Sequence, residues 1–532
     1  MLFWGLGLQA LDRLATDIRY SIDLVGFLRH EVSLDEAKSI IEQRLARRAE
    51  SFLDILERGV YANPRSPYRR LLDHAGIGLA DVQRMLRNDG LEAALEQLCA
   101  ASVYVTSEEM KGRRPIRRDG LEFTVEAADF ENPLVGSAHM LQTSSGSTGR
   151  PVTVRTSLKS SSAECVSVAV AAAQLGDRPQ AFWSPGGVVT LIISTKLGAP
   201  PERLFFTMPP LRGLDGLRQR AIMAYTRFWS ARFGHPLPQA EVVTRDQAVT
   251  IARWLAAMRE RGRPAAMLCH SNPAVRICHA AQQHDIDISG TLFYVYGEPF
   301  TSGKAAVLAS VGASAVVAYA MSEVGGLVAI TCPNATELDD AHLFTDKLAV
   351  IQRDRTVAPG ESVGALLLTS IQPDCPRLLL NADTGDYATI STRSCDCLMG
   401  RLGLNTHLHG IRSYEKLTSE GITFAGSRLY ELVEEVLPAR FGGGVNDYQL
   451  VEEEHEDALS RVSVVVSPRV GDVDEAAVIA TVLEALEITH ARQGGATMAD
   501  TWRQGGNLQV VRREPYETRA KVLPLQVLRR LQ

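Results

Sequence analysis

The chain has 532 residues, with 56 basic and 62 acidic side chains (net charge −6), 45% apolar and 22% charged residues. Those proportions are those of a folded globular protein and exclude disordered, collagen-like and coiled-coil architectures. At about 100–200 residues per domain the length implies two to four domains, and the mildly acidic balance, with arginines only in small clusters such as Arg113-Arg114 and Arg117-Arg118, argues against a nucleic-acid partner.

The opening stretch, MLFWGLGLQALDRL, reaches Asp12 with no basic segment before it, so it does not read as a secretory signal. From Ser33 to about Leu98 apolar residues recur at three and four positions and predict helices, with Ser33-Leu-Asp-Glu36 as a capping box and breaks at Asn63-Pro64 and Ser66-Pro67. Between about Asp177 and Ala329, strand-like runs VVTLII (188–193), AMLC (266–269) and LFYVY (292–296) alternate with helical segments such as Arg245–Glu260, which predicts α/β layers with largely parallel strands. The longest uncharged stretch, Ala305 to Ser322, carries Gly and Ser and has Lys304 and Glu323 at its ends; it predicts a buried strand-turn-strand and no membrane span. From Asp346, LAVIQR, GALLLTS and YATIS, separated by Pro-Gly, Asp-Cys-Pro and Asp-Thr-Gly turns, predict a small antiparallel subdomain. A compact α+β tail follows Gly410, with helices near Arg428–Leu437 and Asp474–His490 and a strand at Val462–Val466. Eight cysteines are too sparse for a disulfide framework, so the reducing cytoplasm is the expected compartment and any clustered cysteines point to metal or catalysis.

The most informative segment is Thr143-Ser-Ser-Gly-Ser-Thr-Gly-Arg-Pro151. Small hydroxylated residues and two glycines let backbone N–H groups and hydroxyls wrap polyphosphate oxygens. It lacks the Gly-Lys-Ser/Thr of a Walker loop and the Gly-x-Ser-x-Gly of a nucleophile elbow. Further along come Tyr319-Ala-Met-Ser-Glu323, Ala382-Asp-Thr-Gly-Asp386, Gly410-Ile-Arg412 with Gly421 nine residues beyond that arginine, and Thr518-Arg-Ala-Lys521. In this order and spacing the five motifs, from about Ser66 to the end, resemble the adenylate-forming superfamily of acyl-CoA synthetases, luciferases and adenylation domains. Val152 after the proline and Tyr296-Gly-Glu-Pro299 resemble the phenylacetate-CoA ligase branch. The chain departs from the family pattern at Ser322, where threonine is usual, at Ala520, where glycine precedes the lysine, and at Arg412-Ser-Tyr-Glu, which lacks the usual hinge Asp. Gly400-Arg401 is a competing alignment for the arginine motif, without the downstream glycine that Gly421 supplies.

The resemblance implies a large multi-layer N-terminal domain (66–411, αβαβα sheets plus the small β-rich subdomain about 346–411) after a helical lead-in (1–65), and a mobile α+β C-terminal domain (412–532). It implies ATP-dependent activation of a small carboxylic acid to acyl-AMP, then transfer to a thiol, with ATP, Mg²⁺ and coenzyme A as cofactors. Ser145, Gly146, Ser147, Thr148 and Gly149 would hold the β- and γ-phosphates; Glu298, Pro299, Tyr319 and Ser322 would line the nucleotide pocket, with Tyr319 on the adenine; Asp386 would take the ribose hydroxyls. Glu323 would ligate Mg²⁺, Arg412 would reach the ribose or phosphate, Lys521 would neutralise charge at the α-phosphate, and Gly421 would lie on the thiolation loop. A carrier protein or amine in place of coenzyme A, a catalytically silent homologue, and a homodimer are the alternatives.

Cys332, His342 and Cys395-Asp-Cys397 form a ligand set with the chemistry of structural zinc, with Cys375 as the alternative thiol; the resemblance strengthens that reading, since some relatives of the branch bind zinc with a similar arrangement. Cys99, Cys165, Cys269 and Cys278 lie in apolar contexts and are expected in the core, with His270 and His279 as packing or pocket residues. Phe182, Trp183, Phe293 and Tyr294, near the expected pocket, favour an aryl or arylacetic acid.

Overall fold

The computed structural model describes residues 2–137, 139–143, 153–185, 188–208, 212–358, 361–413, 417–419, 422–424, 432–444, 447–490, 502–518, 521–522 and 525–527. The first hundred residues are helical: α1 (Leu2–Arg29), α2 (Leu34–Ala46), α3 (Arg48–Ile55) running into a π turn at Leu56–Tyr61, α4 (Pro67–His74), α5 (Leu79–Asp89) and α6 (Leu91–Ala100), with a short α7 (Ser107–Met110) beyond. The Ser33 hydroxyl caps α2 by accepting the Glu36 amide at 3.2 Å; among the described residues only this half of the predicted capping box forms. Pro67 opens α4 after the predicted break, at a position where its missing N–H leaves nothing unbonded. Among the described residues no helix is long and apolar enough to cross a membrane.

Two hairpins, β1 (Ile116–Arg118) with β2 (Leu121–Phe123) and β3 (Met140–Thr143) with β4 (Thr153–Thr156), lead into α8 (Leu158–Ala172), which Ser157 caps. Six parallel strands follow: β5 (Gln180–Ser184), β6 (Arg203–Phe206), β7 (Ala240–Val242), β8 (Ala266–His270), β9 (Leu292–Tyr296) and β10 (Ser314–Met321). The helices between them are α9 (Val189–Lys196), α10 (Gly213–Arg232), α11 (Ala248–Glu260), α12 (Ser271–Gln283) and α13 (Ser302–Ser310). From β10 the pairing turns antiparallel through β11 (Gly326–Thr331), β12 (Ala341–Leu343), β13 (Leu348–Ala358), β14 (Glu361–Ser370), β15 (Ala382–Thr392) and, after the short α14 (Leu398–Arg401), β16 (Thr406–Ser413). All twelve strands from β5 make one hydrogen-bonded sheet in the order 13-14-15-16-12-11-10-9-8-5-6-7. The antiparallel set predicted from Asp346 is present, and it continues the parallel sheet through β16 and β12.

Both faces of the central strands β8 and β9 are covered, which is why those strands are almost wholly apolar. Trp183, Met267, Phe293, Val295 and Val317 face α11 and α12, while the alternate residues Leu268, Tyr294, Tyr296 and Ala318 face α2 and α8. Helices α3 to α6 pack on the antiparallel strands.

Two predicted elements differ. The run 188–193 is not a strand but enters α9, whose residues Leu191 to Lys196 are all buried. A six-residue run whose only polar member is Thr190 carries too little period to tell the two apart, and burial on every side suits a helix as well as a central strand. The stretch Ala305 to Ser322 is helix-turn-strand, α13 and β10, not strand-turn-strand: Thr301 caps α13 by accepting the Lys304 amide, and the turn at Gly312 has φ +68°.

The C-terminal part has its own core. A hairpin, β17 (Leu417–Ser419) with β18 (Ile422–Phe424), precedes a π turn at Leu432–Val436 and α15 (Leu437–Phe441), later than the predicted start near Arg428, of which 428–431 lie outside the described residues. Then come β19 (Tyr448–Glu454), β20 (Ser460–Val466), α16 (Glu475–His490), β21 (Leu508–Arg512), the hairpin β22 (Glu517–Thr518) with β23 (Lys521–Val522), and β24 (Leu525–Val527). The sheet order is 21-20-19-24, and Tyr448, Leu450, Val462, Val464, Val478, Val482 and Trp502 fill its core.

Candidate functional site

Ligand sites in open α/β sheets lie beyond the carboxyl ends of the parallel strands, where backbone N–H groups and loop side chains are free to face a ligand. Here β8, β9 and β10 end, respectively, in His270-Ser-Asn272, Gly297-Glu298-Pro299 and Ser322-Glu323. Glu298 is buried at 8% exposure, and its Oε2 accepts the Asn272 amide at 2.8 Å, so the β9 turn is tied to the start of α12. Gly297 makes that turn possible: its φ is +78°, and a Cβ would stand 2.8 Å from the His270 ring. The Pro299 carbonyl accepts the buried Lys304 ammonium at 3.0 Å.

Tyr319, near the end of β10, donates its hydroxyl to Asp386 Oδ2 at 2.8 Å. Burial first, and then the adjacent Asp386 carboxylate, push the tyrosine well above its ordinary range, so it stays protonated and is the donor toward Asp386. Asp386, 8% exposed, sits on β15, where it pairs in register with Ser413 of β16 and donates its backbone N–H to the hydroxyl oxygen of Thr384, in its own turn, at 3.1 Å. One residue before Ser413, Arg412 is half-buried, and its Nη1 donates to Asp339 Oδ2 at 3.1 Å; the same carboxylate accepts the Gly410 and Ile411 amides at 2.9 and 3.2 Å. The Ser322 hydroxyl donates to Glu323 Oε2 at 3.1 Å, and Arg377 N–H donates to the Glu323 carbonyl at 3.2 Å. Five predicted positions, Tyr319, Ser322, Glu323, Asp386 and Arg412, thus come from β10, β15 and β16, with Glu298 at the end of the neighbouring β9. Ser145 to Gly149 and Gly421 lie outside the described residues, and of Lys521 the backbone alone is described, opposite Thr518 in the β22–β23 hairpin.

The second predicted group also assembles. Cys332 follows β11, His342 lies on β12, and Cys395 and Cys397 precede α14; their four ligand atoms all lie within 4.8 Å of one another. Cys332 and Cys395 sulfurs are 3.7 Å apart, and His342 Nε2 is 3.4 Å from Cys332 Sγ and 3.2 Å from Cys397 Sγ. Tetrahedral zinc with bonds of about 2.3 Å to sulfur and about 2.0 Å to nitrogen needs S–S edges of about 3.8 Å and S–N edges of about 3.5 Å, so the residues fit the ion. His342 Nδ1–H donates to the Leu404 carbonyl at 2.7 Å, which leaves Nε2 as the lone-pair nitrogen. Burial lowers the imidazole to about 4 and raises the Cys332 thiol to about 12, so a cation is what would keep that sulfur a thiolate. Behind the set, His407 pairs with His342 in register with ring centres 4.0 Å apart, and its Nδ1 bonds Asp340 at 2.7 Å. Cys375 is buried elsewhere, its carbonyl accepting from Asn132, and does not join the group. Gly400 belongs to this loop: its amide donates to Cys397 Sγ at 3.4 Å, and a Cβ there would lie 1.9 Å from the Cys395 carbonyl oxygen. That packing accounts for Gly400-Arg401 without a role in the arginine motif.

The aromatic residues divide by strand alternation. Trp183 and Phe293 are fully buried against α11 and α12, with Trp183 Nε1 donating to the Val243 carbonyl at 3.0 Å, so these two are core and not pocket wall. Phe182 packs with Leu191, Leu204 and Leu237, and Tyr294 faces α8. His270 lies against Tyr296 with ring centres 4.7 Å apart and the ring planes tilted by 48°. Cys165, Cys269 and Cys278 are core as predicted, and Cys99 packs half-buried against it.

Sequence motifs give no hint of the contacts that join the C-terminal part to α12. The Asn272 side chain bonds the Ser460 backbone in both directions, at 2.9 and 3.1 Å, His279 Nε2–H donates to the Asp457 carbonyl at 2.7 Å, and Arg276 donates to Asn507 at 2.8 Å. Ala458 and Leu459 enter the α11–α12 core. Asp339, Glu164 and Lys347 are likewise absent from the motif reading; for Glu164 the available signal is a lone acid within an otherwise small and apolar helix, LKSSSAECVSVAVAA.

No family model matches this sequence, and no curated protein matches it. Solved structures do. A 2-hydroxyisobutyryl-CoA ligase in complex with 2-HIB-AMP and CoA is 15% identical with a TM-score of 0.54, covering 94% of this chain and 91% of that one. A malonyl-CoA ligase (12% identical, TM-score 0.41, 72% of each chain) and an amide bond synthetase from Marinactinospora thermotolerans (16% identical, TM-score 0.41, 83% of this chain and 76% of that one) are more distant. The 0.54 likeness, spanning nearly the whole of both chains, is one of fold: this chain has the α/β fold of that ligase, with a large N-terminal part and a smaller α+β C-terminal part.

Proposed function

We propose that this chain is an adenylate-forming ligase that joins a carboxylic acid to ATP, releases pyrophosphate, and passes the acyl group of the acyl-AMP to a thiol, coenzyme A in the first instance. The observation that carries the reading is the meeting of Tyr319 and Asp386, 67 residues apart and from separate motifs, at 2.8 Å beside the Ser322-Glu323 turn. In the proposed site the Asp386 carboxylate would take the ribose hydroxyls while Tyr319 closes the adenine side; Glu323 would hold Mg²⁺, whose hard-cation preference is for oxygen, and so help neutralise charge developing on the phosphates. Arg412 and Ser145 to Gly149 would supply donors to ribose and phosphates. The domains are proposed as 1–65, 66–411 and 412–532, the last delivering Lys521 and then the Gly421 loop. Cys332, His342, Cys395 and Cys397 are proposed as a closed structural zinc site; with four protein ligands such an ion holds β11, β12 and the α14 loop together and has no open position for chemistry.

Pyrophosphate exchange across a panel of aryl, fatty and amino acids tests the reading. Aryl or arylacetic acids with ATP, Mg²⁺ and coenzyme A are expected to give the highest kcat/KM; the support is the tilted His270–Tyr296 ring pair next to the buried Glu298, since an aromatic-lined slot gains most from ring contact and apolar burial. Preference for a long fatty acid, or turnover only with a carrier protein or an amine, would replace it with the alternative acceptor. Gly421→Leu is expected to leave acyl-AMP formation intact and to block thiol transfer, measured as acyl-AMP accumulation without thioester.

A further inference from the structure

We propose that Glu164, on α8, is a positioning residue that sets the Ser322–Gly326 turn and thereby aims Glu323; the inference rests on the reading of Glu323 as the magnesium ligand. Glu164 and Lys347 are each 4% exposed and form a buried pair, Lys347 Nζ donating to Glu164 Oε2 at 2.6 Å. The other carboxylate oxygen accepts the Leu327 amide, also at 2.6 Å. Between Glu323 and Leu327 stand two glycines, both in conformations that suit no other residue, Gly325 at φ +91° and Gly326 at φ +143°. A Cβ on Gly326 would lie 2.7 Å from Glu164 Oε1, so the backbone of the turn rests directly on the carboxylate. On its other side the turn is held by Arg377 N–H on the Glu323 carbonyl and by the Gly325 amide on the Ser322 carbonyl, at 3.2 and 3.1 Å.

A buried ion pair is poor evidence of stabilisation, because desolvating both charges offsets their attraction and an apolar pair of similar size is often as stable. What an apolar pair cannot supply is an acceptor for the Leu327 N–H. The pair is therefore placed where its geometry matters more than its energy: Lys347 holds the carboxylate in one orientation, and the carboxylate fixes the first amide after the turn.

The test compares two charge-free double variants. E164L/K347M removes the acceptor without leaving an unpaired ion; E164Q/K347M removes the charges but keeps an oxygen facing Leu327. In E164L/K347M, amide exchange in the 320–330 segment and the Mg²⁺ concentration for half-maximal ATP–pyrophosphate exchange should each rise about tenfold, the scale of one lost buried hydrogen bond. Transfer from supplied acyl-AMP to thiol should not change, and E164Q/K347M should recover most of both effects. An apolar variant with wild-type 320–330 exchange and wild-type Mg²⁺ response overturns the proposal, as does a glutamine variant no better than the apolar one. Should E164L/K347M not fold, Gly326→Ala displaces the same contact and should raise the Mg²⁺ requirement; a wild-type response there equally overturns it. If the wild-type protein activates no acid at all, the enzymatic reading fails, and amide exchange still decides whether Glu164 holds the turn.

Discussion

Lys521→Ala is expected to lower acyl-AMP formation by about 10²–10³-fold while leaving transfer from supplied acyl-AMP to thiol unchanged. In-line displacement at the α-phosphorus brings an anionic carboxylate against the anionic oxygens of the phosphate and shifts negative charge onto the departing pyrophosphate. A lysine ammonium is a compact charge able to sit between them, and a preorganised, dry site makes it worth far more than in water. The chain offers a way of carrying that charge: Lys521 lies opposite Thr518 in the β22–β23 hairpin, and four residues later β24 joins the C-terminal sheet alongside β19, so the lysine is tethered to that sheet. On the proposed reading the C-terminal part has carried Lys521 away before the second half-reaction, which is why the two activities should separate. ATP–pyrophosphate exchange and thioester formation from synthetic acyl-AMP, measured on one preparation, check both halves. Adenylation at the wild-type rate would show that the C-terminal lysine has been wrongly assigned.

Protein purified without chelators is expected to hold about one equivalent of zinc, and Cys395→Ser to lose it together with stability on the order of 3–5 kcal/mol. The Cys and His side chains already stand at tetrahedral distances, and the His342–Leu404 and His407–Asp340 bonds orient them from behind. Removing one ligand therefore leaves a cluster of thiols brought together with nothing to bind. The same variant should change ATP affinity much less than stability, because His342 and Asp386 lie on different strands with β16 between them. Metal analysis with no zinc would sink the proposal; zinc retained in Cys395→Ser would move the fourth ligand elsewhere.

Much of the fold is legible along the chain because it rests on local periodicity and on chemistry that repeats with spacing. The helices of the first hundred residues, the buried strands at 266–270 and 292–296 and the break before Pro67 all follow from the positions of apolar residues and prolines. The gathering of Cys332, His342, Cys395 and Cys397 was likewise foreseeable, since free cysteines beside a histidine have few other uses in one turn-rich region. Tertiary structure alone decided the rest. VVTLII became part of α9 because so short and largely apolar a run fits either element, and the buried space against α1 and α8 admits a helix. Trp183 and Phe293 went to the core rather than the pocket because strand alternation assigns a face only once the neighbouring helices are in place. The partners that hold the functional groups, Asp339 on Arg412, Asn272 on Glu298 and Glu164 on the Glu323 turn, carry no pattern of their own. Each is a single polar residue whose bond closes across 26 to 163 positions, a distance at which only the packed sheet determines what meets what.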